Sequence, residues 1–354
     1  MEKIRVGLIG AGSIANTHAL SYKGVPDVEL VAVCDIKKEK AESFAKRHNI
    51  PNAYGSMEEM IAAEKLDAAD VCVWNINHAK CTIYALKSGL HVICEKPMAY
   101  NTEEAEEMKK VSEETGKVLM IGFVTRFADD TRVVKDYIDK DYLGEIYYAK
   151  AQYVRRHGNP GGWFGDKSRS GGGPVIDLGV HVIDRARYLM GLHKPVSVYG
   201  ATFTKLGKRA NLKTNVGWVP ADSSPSDPCD VEDFGTAIIR FDNGSVIQLE
   251  TAYSVNDTSK SGLTLCGDKG GMKTGDGPLT LYTEMNDFMV DVKIDTNNLN
   301  ETKDMFVAEL QHFADSILGR CKCTATPEDG VICMKILDAI YESARTGHEV
   351  IIEA

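Results

Sequence analysis

Short apolar runs alternate with amphipathic stretches along the first 122 residues. Residues 4–9, 28–34, 69–74, 91–94 and 118–122 read as strands buried on both faces. Between them, residues 13–22, 37–47, 57–63, 78–88 and 103–115 carry helical patterns, the last capped by Thr102 with acidic residues in its first turn. Repeated strand–helix units of this length predict an α/β fold with a parallel, doubly wound sheet.

Beyond residue 122 the pattern changes. A helix over 129–140 is followed by long β-type runs at 145–156, 195–204, 231–241, 245–253 and 262–267. Asp242-Asn243-Gly244 between two of these is a hairpin turn. The second half is therefore expected to be an α+β domain built on a large, mostly antiparallel open sheet. Helices over 303–318 and 327–346 and a strand over 349–352 close the chain, and loops are expected at 221–230 and 267–277. The change of pattern predicts two domains, residues 1–122 and 123–354.

The length of 354 residues agrees with two domains at about 100 to 200 residues each. A net charge of −10 speaks against nucleic-acid and anionic-membrane partners, because phosphate binding needs a basic face. No apolar run approaches ~18 residues, and the first ten residues lack the parts of a signal peptide, so a cytoplasmic protein is expected. The nine cysteines are scattered. Even Cys321, Cys323 and Cys333 contain no CxxC pair, so reduced thiols and no metal site are expected.

The first chemistry-bearing motif is Gly10-Ala11-Gly12-Ser13-Ile14-Ala15, set between a strand and a helix. Gly10 permits the tight turn, Gly12 lets a pyrophosphate approach the backbone, and Ala15 lets helix and strand pack. The next strand ends at Asp35, 23 residues beyond Gly12, where a carboxylate binds a ribose hydroxyl and repels a 2′-phosphate. NAD is the expected cofactor. Lys37 and Lys38 leave NADP possible, since they can neutralise that phosphate. Residues 1–122 are thus expected to bind NAD(P).

Two later segments are Cys94-Glu95-Lys96-Pro97, at the end of a strand, and Gly171-Gly172-Gly173-Pro174-Val175-Ile176-Asp177-Leu178-Gly179-Val180-His181. Asp177 and His181, spaced i, i+4, share a face if helical. A lysine, an acid and a histidine suit proton transfer at an alcohol: His181 as base, Lys96 stabilising the alkoxide, Asp177 binding a neighbouring hydroxyl or orienting the base. Together with GLIGAGSIA, CEKPMA and IGFVTRF, these motifs resemble the glucose-fructose oxidoreductase, inositol dehydrogenase and MocA (Gfo/Idh/MocA) family over nearly the whole chain.

The resemblance implies a Rossmann domain and a substrate domain whose open sheet joins copies into a homodimer or homotetramer. It also implies oxidation or reduction of a sugar, glycoside or cyclitol. Lys96, Asp177 and His181 match the family's catalytic positions, and Arg126 matches one near the substrate. The family's common threonine-proline is here Asn75-Ile76, with His78 at a frequent histidine position; Asn75, His78 and Glu95 are expected beside the cofactor, with Ser13 and Ile14 at its phosphates. His157 and Trp163, in a glycine-rich loop, are substrate-binding candidates, whereas His18 and His91 read as core histidines. Two alternatives keep the fold: an NAD-dependent glycoside hydrolase acting by transient oxidation and elimination, and a non-catalytic NAD(H)-binding sensor.

Overall fold

The structure, a computed structural model, describes all residues except 1–2, 210–211, 214–218, 221–222, 225, 297–298, 300–303 and 354. The expected loop 221–230 and the first residue of the expected helix 303–318 therefore lie partly outside the described residues. Two compact units divide the chain: residues 1–127 with 303–334, and residues 128–302 with 335–354.

The first unit runs β1 (Ile4–Ile9), α1 (Ser13–Ser21), β2 (Val28–Cys34), α2 (Lys38–His48), β3 (Asn52–Tyr54), α3 (Met57–Ala63), β4 (Ala68–Val71), α4 (His78–Lys87), β5 (His91–Glu95), α5 (Thr102–Thr115) and β6 (Leu119–Gly122). All six strands are parallel, in the order β3-β2-β1-β4-β5-β6. The doubly wound sheet expected from the alternation is present. Its order reverses beside β1, and the carboxyl ends of β1 and β4 flank the crevice such sheets use for ligands. Asn101, one residue before the expected cap, caps α5 by accepting from the Glu104 amide at 2.9 Å.

The second unit contains α6 (Asp129–Asp139), β7 (Ile146–Val154), the short α7 (Lys167–Ser170), α8 (Val180–Met190), β8 (Pro195–Phe203), β9 (Phe234–Phe241), β10 (Val246–Ala252), β11 (Lys260–Gly267), β12 (Gly271–Lys273), β13 (Thr280–Met285) and β14 (Phe288–Lys293). With β15 (Val350–Ile351) they form a nine-stranded sheet, β14-β13-β12-β11-β7-β10-β9-β8-β15, antiparallel except for the β10–β7 pair. Ala149, Ala151, Ile247, Leu249, Leu263 and Leu265 are buried on one face. The strands β12 to β14 were not expected, and β12 falls inside the expected loop 267–277. Asn286 and Asp287 join β13 to β14 with φ of 50° and 64°, the left-handed pair that a tight hairpin requires.

The chain then contributes α9 (Met305–Ile317) and the start of α10 (Pro327–Thr346) to the first unit. Asp304 caps α9 through the Phe306 amide at 2.9 Å, and Arg320 pairs with Asp27 at 2.7 Å. Arg126 is buried, with Nη1 3.1 Å from Asp329 and also donating to the Thr324 carbonyl. Among the described residues no helix is long and apolar enough to cross a membrane.

Removing the carboxylate from a buried ion pair strands the guanidinium, which costs about 3 to 5 kcal/mol. Asp329→Ala is therefore expected to lower unfolding stability by that order in a urea titration; a loss below about 1 kcal/mol contradicts the placement of residues 303–334.

Candidate active site

The turn after β1 is shaped by what its glycines leave empty. Gly10 has φ of +101°, and a Cβ there would sit 2.4 Å from the Cys72 carbonyl oxygen, so no other residue fits. A Cβ on Gly12 would meet nothing within 4 Å, and among the described residues no side chain caps the first amides of α1. Asp35 fixes this turn: Oδ2 accepts from Ala11 N at 3.1 Å and Oδ1 from Lys37 N at 3.0 Å. Lys40 Nζ lies 3.7 Å from Asp35 Oδ2. An uncapped helix start, an open glycine and an acid at the end of β2 fit the pyrophosphate and ribose of a dinucleotide.

After β5 the chain turns through Lys96 and a cis Lys96–Pro97 bond. Glu95, nearly buried, accepts from the Lys96 amide at 3.1 Å. From α4, His78 holds the other side: Nδ1 is 2.7 Å from the Pro97 carbonyl and Nε2 3.2 Å from that of Val73. Burial lowers the His78 pKa, so one neutral tautomer donates to one carbonyl at a time. Asn75 is buried in a 3-10 turn just before α4.

In the second unit the glycine run meets two walls. A Cβ on Gly172 would fall 2.0 Å from the Tyr341 hydroxyl, and one on Gly173 would fall 2.4 Å from the Glu232 carbonyl oxygen. Glu232 accepts from the amides of Gly173 and Val175 at 3.0 and 3.1 Å, and from Tyr341 Oη at 2.9 Å. A π-helical turn, Val175–Gly179, follows and leads straight into α8. It carries Asp177 one turn before His181, both half-buried; such turns recur at functional sites. Tyr253 donates to Asp177 Oδ2 at 2.8 Å, and burial and then Asp177 push its phenol well above the ordinary range, so it stays a donor. Tyr153 lies 6.3 Å from the His181 ring and accepts from Arg155 at 3.0 Å.

The remaining candidates differ in setting. His157 is exposed, and Trp163 is half-buried and stacked on Phe164 at 4.1 Å. Arg126 lies in the first unit with Nη1 on Asp329.

Residues 4–123 match the family described as "Oxidoreductase family, NAD-binding Rossmann fold", and residues 135–352 match its C-terminal alpha/beta domain. The chain belongs to the Gfo/Idh/MocA oxidoreductase family. This NAD(P)-dependent oxidoreductase is 35% identical to D-glucoside 3-dehydrogenase of Escherichia coli over 98% of its own length and 97% of that protein's. It is 33% identical to glucose-6-phosphate 3-dehydrogenase of Bacillus subtilis over 60% of this chain and 58% of the relative. A solved structure of levoglucosan dehydrogenase in complex with NADH and levoglucosan shares the fold with a TM-score of 0.85 at 24% identity, each chain covered in full.

Sequence reasoning missed Tyr253 and Glu232. Tyr253 directly follows β10 and Glu232 lies two residues before β9, and nothing in the immediate sequence of either points to its partner, 76 residues away for Tyr253 and 59 for Glu232.

Gly10→Ala and Gly12→Ala of the oxidoreductase should separate stability from binding. Gly10→Ala is expected to lower the melting temperature, whereas Gly12→Ala melts as wild type yet binds NADH at least about tenfold more weakly in a fluorescence titration. Wild-type NADH affinity in Gly12→Ala contradicts the cradle.

Proposed function

We propose that the oxidoreductase oxidises a glucoside at ring carbon 3 with NAD, as a cytoplasmic homodimer or homotetramer joined through the nine-stranded sheet. The reading rests above all on the Asp177–His181 pair, with Asp177 already oriented by Tyr253. The names of the two 3-dehydrogenase relatives support the choice of carbon.

Gly10, Gly12, Ser13 and Ile14 would hold the pyrophosphate, Asp35 the adenosine ribose, and Asn75, His78 and Glu95 the region around Lys96. Ile36 is 84% exposed beside Asp35 and offers an apolar surface to an adenine. The Asp35 carboxylate favours NAD over NADP. When bound, the nicotinamide supplies a hydride acceptor. His181 takes the hydroxyl proton as the alcohol becomes a ketone, Lys96 stabilises the negative charge that develops on that oxygen, and Asp177 accepts from a neighbouring hydroxyl. His157 and Trp163 contact the sugar ring. Arg126 supports the site through Asp329 rather than touching substrate.

Methyl glucosides, levoglucosan and myo-inositol, each assayed with NAD and NADP, test the reading. NADH should form best with a methyl glucoside and NAD. His181→Ala should lower turnover by about 10²- to 10⁴-fold with NADH binding retained. Wild-type turnover in that variant, or glycoside cleavage without NADH release, contradicts the proposal.

A further inference from the structure

The first unit encloses a cluster of ionisable side chains that the chemistry above does not use. His18, on α1, is fully buried. Its Nδ1 is 2.8 Å from Asp70 Oδ2, and its Nε2 is 3.0 Å from Glu95 Oε1, an ion-pair distance without hydrogen-bond alignment. Asp70 is fully buried in β4 and also accepts from Tyr22 Oη at 3.1 Å and Cys72 Sγ at 3.2 Å. The second oxygen of Glu95 accepts from the Lys96 amide.

We propose that His18 is a positioning residue for Lys96: an imidazolium between Asp70 and Glu95 fixes the Glu95 carboxylate, which in turn sets the backbone from which Lys96 projects. This inference rests on the role given to Lys96 above.

The geometry selects the charged ring. A neutral imidazole donates from one nitrogen only, whereas here each nitrogen faces a carboxylate oxygen. Burial, the largest single influence, pulls the His18 pKa down, but Asp70 and then Cys72 act together against it and the net displacement is upward, well above the usual range. The other groups facing the ring leave that charge in place. Burial keeps the Cys72 thiol and the Tyr22 phenol protonated, and burial and then Glu95 raise the Glu309 carboxyl contributed by α9. Phe306, also from α9, lies 5.8 Å from the ring and excludes water on that side. A buried carboxylate beside an uncharged ring would be unpaired, and Glu95 would then be free to release the Lys96 amide.

The test is a double-mutant cycle on the full chain. His18→Gln should lower kcat for methyl glucoside oxidation by more than about tenfold while the Kd for NADH stays within about twofold, and Glu95→Gln should lower kcat by at least as much. The double variant should fall no further than the more damaged single one. Losses that multiply, an unchanged kcat in His18→Gln, or an effect confined to NADH binding overturn the inference. Because His18→Gln can fail to fold, 15N NMR of histidine-labelled wild-type protein reads the clamp directly. Both His18 nitrogens should still be protonated at a pH where an ordinary histidine is neutral, and a neutral ring there overturns it. Full turnover in Lys96→Ala would sink the role of Lys96 and this inference with it. An inactive Lys96→Ala beside a fully active His18→Gln would overturn the inference alone.

Discussion

Three turns of this oxidoreductase are held by carboxylates that accept backbone amides. Asp35 takes those of Ala11 and Lys37, Glu95 that of Lys96, and Glu232 those of Gly173 and Val175. Charge-assisted bonds of this kind are roughly twice as strong as neutral ones, and they tighten where water is excluded. Glu95 and Glu232 are both less than one-tenth exposed, so the turns they hold are fixed from inside the fold rather than by solvent-facing contacts.

The constraint explains why glycine recurs at these places. A carboxylate reaches the amides of a turn only if the chain runs close to its neighbours, and close approach leaves no room for a Cβ. Gly10 faces the Cys72 carbonyl and Gly173 the Glu232 carbonyl at 2.4 Å each in that sense. Side chains on such turns project from a backbone with few alternatives, a precondition for holding a reacting atom to within about 0.5 Å. Asp177 is fixed in its own right, since its π-helical turn is anchored by Glu232 at one end and its carboxylate by Tyr253.

The fold was legible in the sequence to the extent that its period was unbroken. The parallel sheet follows from apolar runs such as Ile4–Ile9 and Val28–Cys34, buried on both faces. The three-residue β3 and β12 are too short to set a period, and β13 and β14 escaped because their turn is Asn286-Asp287 rather than a glycine pair, although its positive φ serves the same end. The glycines and acids of the site were visible as motifs. Their holders were not: Glu232 and Tyr253 meet their partners only through hydrogen bonds between segments 59 and 76 residues apart in sequence, and His18 reads as a core histidine until Asp70 and Glu95 are seen on either side of it.

Isotope transfer from a glucoside carrying deuterium at carbon 3 follows the proposed hydride from sugar to nicotinamide. The proposed oxidation at carbon 3 requires the deuterium to appear in the NADH formed, with a 3-keto glucoside as product and a slowed single turnover. Deuterium retained in the sugar, or lost to water while the glycosidic bond is cleaved, would contradict it.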